Sequence, residues 1–204
     1  MRCEFQKSSF IPTSTTLLRQ LAADSRHSRW TEFVARYEPL MHAYLRTRFP
    51  FVEADDVVSE TLVALVDVLA HYRYDPQETG RFHNYLTGVL RHKALRACRA
   101  ADRNSRLKAG WREDITACAG ESASAADEEA YRQALFEIAV SSFFSDPTIA
   151  PRTKEVFRRT AIAGESPETV AQAFQMSRHA VDQIKSRSVV WLRKRIDELE
   201  QTDD

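Results

Sequence analysis

Apolar residues recur every three or four positions along most of the chain, and a stretch without that period divides them into two groups. Trp30, Phe33, Val34, Tyr37, Leu40, Met41, Tyr44 and Leu45 trace one helical face, with Pro39 expected to kink or divide it. Asp55 or Asp56 can cap a second helix, whose face is Val57, Val58, Leu62, Leu65, Val66 and Leu69. Positions 71–81 mix Tyr72 and Tyr74 with Pro76 and Gly80, which predicts a structured loop. Phe82, Tyr85, Leu86, Val89, Leu90 and Ala94 then define a third long helix with a basic second half. Ahead of these lies a short helix around Leu17, Leu18 and Leu21, and positions 1–12 read as an extension.

Beyond position 103 the period fades into isolated glycines and the run ESASAADEE, a composition expected of a flexible acidic connector. Helical spacing returns with Tyr131, Leu135, Phe136, Ile138 and Ala139, breaks at Asp146, Pro147 and Pro151, and resumes through Val156, Phe157 and Ala161 as far as Gly164. No bounded alternation of β-branched and polar residues persists anywhere. The expected fold class is therefore all-α, with two small helical domains, 13–103 and 131–199, a connector over 104–130 and an acidic tail over 200–204.

The stretch SPETVAQAFQMSRHAVDQIKSRSVVWLRKR, positions 166–195, carries the sharpest local signal. Ser166 is a capping residue, Pro167 suits the first helical position and Glu168 sits by the positive helix end. Val170, Ala171 and Phe174 share a face, Met176 falls in a turn, Ser177 offers a second cap, and Val181 and Ile184 resume the spacing. This is the pattern of a helix-turn-helix, with small Ala171 allowing a close crossing. Its second helix presents Arg178, His179, Gln183, Lys185 and Arg187, a set able to reach phosphates and base edges in a major groove. Gln175 stands where many such turns have Gly. A helical hairpin with a solvated basic face would share the pattern.

The 204 residues, 43% hydrophobic, can bury a core in each domain. The formal net charge of +0 conceals alternating blocks: acidic over 53–67, basic over 91–108, acidic over 113–137 and basic over 178–195. Such a chain can bind DNA and still offer an acidic surface to a protein. Cys3, Cys98 and Cys118 suggest neither a disulfide framework nor a zinc site, and neither a membrane span nor a signal peptide is expected, which points to the cytoplasm. Gly80, Gly88, Gly110, Gly120 and Gly164 stand apart, so no phosphate-cradling glycine loop can be assembled. No cofactor or metal is expected. Asp56 and Glu60, one turn apart, could hold magnesium in a small all-α enzyme, but no second acidic helix faces them in the sequence, which favours a partner-binding face. Phe82 and Tyr85 precede Arg91, His92, Lys93, Arg96 and Arg99 on one helix beside Tyr72 and Tyr74, and aromatics next to cations suit single-stranded DNA. Equally, the two rings could be core and the cations solvated.

Taken in order, EADDVVSETL, RFHNYLTGVLRHKALRACR and SPETVAQAFQMSRHAVDQIKSRSVVWLRKRI resemble three segments of the extracytoplasmic-function (ECF) class of bacterial RNA polymerase sigma factors, over most of positions 15–197. The first is similar to the family's DAEDVVQEVF, the second to its FRxWLxxIARNxxxDxxR, and the third to its region 4 pattern. The resemblance implies a non-enzymatic promoter-recognition subunit with region 2 over 13–103 and region 4 over 131–199. Asp55, Asp56, Ser59 and Glu60 would face the β′ clamp of core polymerase, whose β flap is a second expected contact. Tyr72, Tyr74, Phe82, Tyr85, Arg91, His92, Lys93, Arg96 and Arg99 would lie along the minus-10 element, and Arg178, His179, Asp182, Lys185, Ser186 and Arg187 along the minus-35 element. An anti-sigma partner is admitted by the same resemblance. Ser59 stands in place of a usual Gln, Tyr85 of a Trp, His92 of an Asn and Arg96 of an Asp, departures that bear on promoter preference. The competing reading is a helix-turn-helix regulator that binds its operator without polymerase.

Overall fold

A computed structural model describes positions 17, 18, 20, 21, 28–69, 82–104 and 125–200. Within them the chain is all-α: α1 (Trp30–Arg48), α2 (Ala54–Leu69), α3 (Phe82–Asn104), α4 (Ala125–Ser145), α5 (Pro151–Phe157) continued by a π-helical turn (Arg158–Ile162), α6 (Pro167–Ala173) and α7 (Arg178–Glu200). The first three follow the spacing of their apolar residues. Phe33, Tyr37, Leu40, Met41, Tyr44 and Leu45 of α1 are buried, as are Val57, Val58, Leu65 and Leu69 of α2 and Phe82, Leu86, Leu90 and Ala94 of α3. Pro39 does not divide α1. It sits on the exposed side, where the missing N–H costs a bond at the solvent face and leaves the buried stripe intact.

An aromatic cluster fastens α1 to α3. The Phe82 ring meets Tyr37 edge-on at 5.3 Å and Phe33 at 6.0 Å, and Trp30 meets Phe33 at 5.2 Å. A second core joins Ala139 and Phe143 of α4, Phe157 and Leu192. A third, of Val156, Val170, Ala171 and Val181, lies beneath the α6–α7 turn.

Where composition suggested a connector as far as position 130, the structure has helix from Ala125 onward. Asp127 and Glu128 occupy the first turn of α4, where carboxylates complement the helix dipole. Ala130, Tyr131, Ala134 and Leu135 are then buried in the same core as α1, α2 and α3. Burying these four side chains contributes roughly 5 kcal/mol, before the entropy of ordering them. Thus α4 begins in the first core and ends in the second. The remainder of the expected connector, positions 105–124, and the 71–81 loop with Tyr72 and Tyr74 lie outside the described residues, as do positions 1–16 and 201–204.

Two turns carry left-handed residues. Gly164, at φ +70°, ends the π-helical turn, and the Glu165 N–H reaches back to the Arg159 carbonyl at 2.9 Å. Gln175, at φ +51°, ends α6, with its N–H donating to the Gln172 carbonyl at 3.2 Å and the Met176 N–H to the Ala171 carbonyl at 3.0 Å. Those paired bonds form a Schellman closure, in which Gln stands where Gly costs least.

Candidate nucleic-acid interface

On α3, heptad-like spacing places Tyr85, Gly88, His92, Arg96 and Arg99 along one side. His92, Arg96 and Arg99 are exposed, whereas Tyr85 is half-buried against the core. The other candidates of this helix point elsewhere. Phe82 is fully buried, so in this conformation its ring is core and cannot stack on a base. Lys93 reaches α2, with its Nζ 3.5 Å from the Glu60 carboxylate. Arg91 turns toward α4, where its Nε lies 3.6 Å from Asp127 Oδ2.

On α2, Asp55, Asp56, Ser59 and Glu60 are all exposed, while Val57 and Val58 between them point inward. The pattern follows from a helix that buries one stripe and leaves its acids to solvent. Val63, 67% exposed, extends the outer face by one turn with an apolar patch. His42 Nδ1 lies 3.6 Å from the Asp55 carboxylate. Among the described residues no three His, Cys, Asp or Glu side chains gather into a possible metal site. Of this acidic face, Glu60 is already paired to a cation from α3.

The α6–α7 unit is held by both expected caps. Ser166 Oγ accepts from the Thr169 N–H at 3.2 Å, and Ser177 Oγ from the Ala180 N–H at 3.2 Å. Val170, Ala171 and Val181 are buried at the crossing. The guanidinium groups of Arg152 and Arg159 lie 6.0 and 5.7 Å from the Phe174 ring, and Arg152 also donates to the Phe174 carbonyl. Arg159 is itself fixed by Glu165, and that hydrogen bond holds the Glu165 carboxyl below its ordinary range. All six α7 candidates, Arg178, His179, Asp182, Lys185, Ser186 and Arg187, are exposed on the side away from this core. Arg178 bridges Glu168 at 2.9 Å and Asp182 at 3.7 Å, and His179 Nε2 lies 2.9 Å from Gln183 Nε2. Such exposed pairs add little stability and exchange readily for phosphate.

The network around Asp127 joins residues that their sequence positions did not single out. Asp127 Oδ1 accepts from the Tyr44 hydroxyl at 3.0 Å and from Arg48 Nε at 3.1 Å. Burial, reinforced by the adjacent Asp127 carboxylate, pushes the Tyr44 hydroxyl well above its ordinary pKa. Next to this cluster the His83 and Tyr131 rings stack at 4.4 Å, and an open cleft of about 330 Å³ runs along Asn84, Thr87 and Gly88 to Arg91. Only the Tyr44 and Arg48 spacing, one turn apart, hinted that a polar pair shared the inward side of α1.

The described helices thus present one acidic face, on α2, and two basic ones, on α3 and α7. Residues 33–104 match the Sigma-70 region 2 family. No curated protein matches the chain. Among solved structures it is similar to the "Structure of CnrH in complex with the cytosolic domain of CnrY", at 22% identity and a TM-score of 0.32, over 89% of this chain and 96% of that one. Among the described residues no helix is long and apolar enough to cross a membrane.

Proposed function

We propose that the chain is an ECF-type sigma factor that binds core RNA polymerase, directs it to a two-part promoter and helps open the DNA. The observation that carries this reading is the region 2 match over 33–104, within which α2 leaves Asp55, Asp56 and Glu60 exposed and α3 leaves His92, Arg96 and Arg99 exposed. Asp55, Asp56, Ser59 and Glu60 offer the clamp of the β′ subunit a negative surface, with exposed Val63 adding apolar contact. Along α3, His92, Arg96 and Arg99 follow the non-template strand at the minus-10 element, with Tyr85 giving a ring to an unstacked base. Stacking of that kind is worth roughly 1 to 3 kcal/mol per base. Arg178, His179, Asp182, Lys185, Ser186 and Arg187 meet the minus-35 duplex from α7, where caps and core hold the helix rigid. The chain does no covalent chemistry, and the polymerase supplies catalysis.

Run-off transcription with purified core polymerase over a library of random promoter templates tests the whole reading at once. The expected result is template-dependent transcripts that need both proteins and share spaced upstream elements. Tight operator binding by the chain alone, with no transcription and no co-migration with core polymerase, would instead identify a free-standing helix-turn-helix regulator.

A further inference from the structure

We infer that Arg48, Arg91 and Tyr44 form a binding site for a nucleic-acid backbone phosphate, which Asp127 fills from within the same chain. The inference rests on the reading of α3 as a nucleic-acid face. Two guanidinium groups from different helices converge on one carboxylate, and their side chains are only 13% and 19% exposed. Like charges this far from water require an anion between them. Asp127 satisfies Arg48 and the Tyr44 hydroxyl, at 3.1 and 3.0 Å, but leaves the buried Arg91 Nε without a hydrogen bond. A phosphodiester is larger than a carboxylate and bears its charge on more divergent oxygens, so it can satisfy both guanidinium groups together.

Access and release are both provided for. The cleft along Asn84, Thr87 and Gly88 leads from the exposed part of α3 to Arg91, and nothing lies within 4 Å of where a Gly88 side chain would begin. Asp127 is the third residue of α4, ahead of the anchoring Ala130, Tyr131, Ala134 and Leu135. Unwinding the first turn therefore frees the site while the helix stays docked, and terminal turns are where helices open most cheaply.

The test measures binding of a fluorescent random-sequence single-stranded 12-mer by the full chain, over a salt series. Asp127→Asn is compared with Glu129→Gln, which removes the same charge from an exposed side chain of the same helix. The expected result is about tenfold tighter binding and a steeper salt dependence for Asp127→Asn, with Glu129→Gln within twofold of the unaltered chain. Adding Arg48→Ala to Asp127→Asn should erase the gain. Equal behaviour of the two acidic variants, with DNA still bound, overturns the inference and leaves the proposed function standing. If neither chain binds DNA but Asp127→Asn alone is stabilised by inorganic phosphate, the anion site stands and its nucleic-acid ligand is refuted; no gain for either ligand refutes both. Should Asp127→Asn not fold, hydrogen exchange of positions 125–131 in the unaltered chain decides: faster exchange on adding the 12-mer is expected, and unchanged or slower exchange overturns the inference.

Discussion

Replacing Phe82 by Leu separates a core ring from a DNA-stacking ring. Phe82 is fully buried, and its ring meets Phe33 and Tyr37 edge-on while Tyr85 lies 6.2 Å away. Leucine retains most of the apolar surface but forfeits the edge-to-face contacts, each worth about 0.5 to 1.5 kcal/mol beyond area. With a small packing defect added, the expected loss is roughly 2 kcal/mol of unfolding free energy, against about 3 to 5 for Phe82→Ala. Urea unfolding followed by far-UV circular dichroism reads this as a lower midpoint with an unchanged slope. Promoter opening, measured with a fluorescent base in the minus-10 strand at a temperature where the variant stays folded, should remain near that of the unaltered chain. Tyr85→Ala should show the converse, with a modest stability loss and a clear defect in opening. If Phe82→Leu leaves stability untouched and abolishes opening, the ring is reaching DNA and the buried placement does not describe the working state.

Three further outcomes are expected. Gln175→Gly should raise unfolding free energy by about 0.5 kcal/mol, because relief of the left-handed backbone exceeds the entropy that Gly adds to the unfolded chain; Gln175→Val should lower it by more than about 1 kcal/mol, and the opposite order in a thermal melt would refute the turn geometry. Lys185→Ala with Arg187→Ala should weaken duplex minus-35 binding and flatten its dependence on log salt concentration by up to about two, whereas an unchanged slope would exclude phosphate contact by these groups. The raised pKa of Tyr44 gives stability that is complete below the ordinary tyrosine value near 10 and is lost as pH rises beyond it, since the unfolded chain then releases a proton that the folded chain keeps. Between pH 10 and 11 the unaltered chain should lose roughly 1 kcal/mol relative to Tyr44→Phe, and parallel pH profiles would contradict the burial of that hydroxyl.

Local signals were legible in the sequence because their causes are local. The helical spacing of α1, α2 and α3, the caps at Ser166 and Ser177 and the stop at Gly164 all depend on residues within a turn or two of one another. The family resemblance read from EADDVVSETL and RFHNYLTGVLRHKALRACR falls within the region 2 match. What spacing could not reveal depends on distant partners. Asp127 stands in an acidic, alanine-rich run that by composition resembles a connector, yet its partners Arg48 and Tyr44 lie 79 and 83 positions away. The inward turn of Arg91 toward Asp127 was hidden for the same kind of reason, and spacing alone grouped it with the exposed cations of α3. Spacing and the neighbouring cations place Phe82 on the DNA face, with core as the competing reading, and the packing of Phe33 and Tyr37 around its ring makes it core.

Because α4 is shared between two cores, homology and cooperativity draw different borders on this polypeptide. A fragment ending at Asn104 would hold all of the segment that matches the region 2 family and still lack the Tyr131 and Leu135 wedge that closes its interior. Cutting after position 135 instead would keep that wedge but remove Ile138 and Leu199, which pack on the same interior, and sever the rod whose far end sets Phe143 against Trp191. Any motion that spreads the two cores must either bend this rod or extract one of its ends, so their separation carries a mechanical cost written into a single helix.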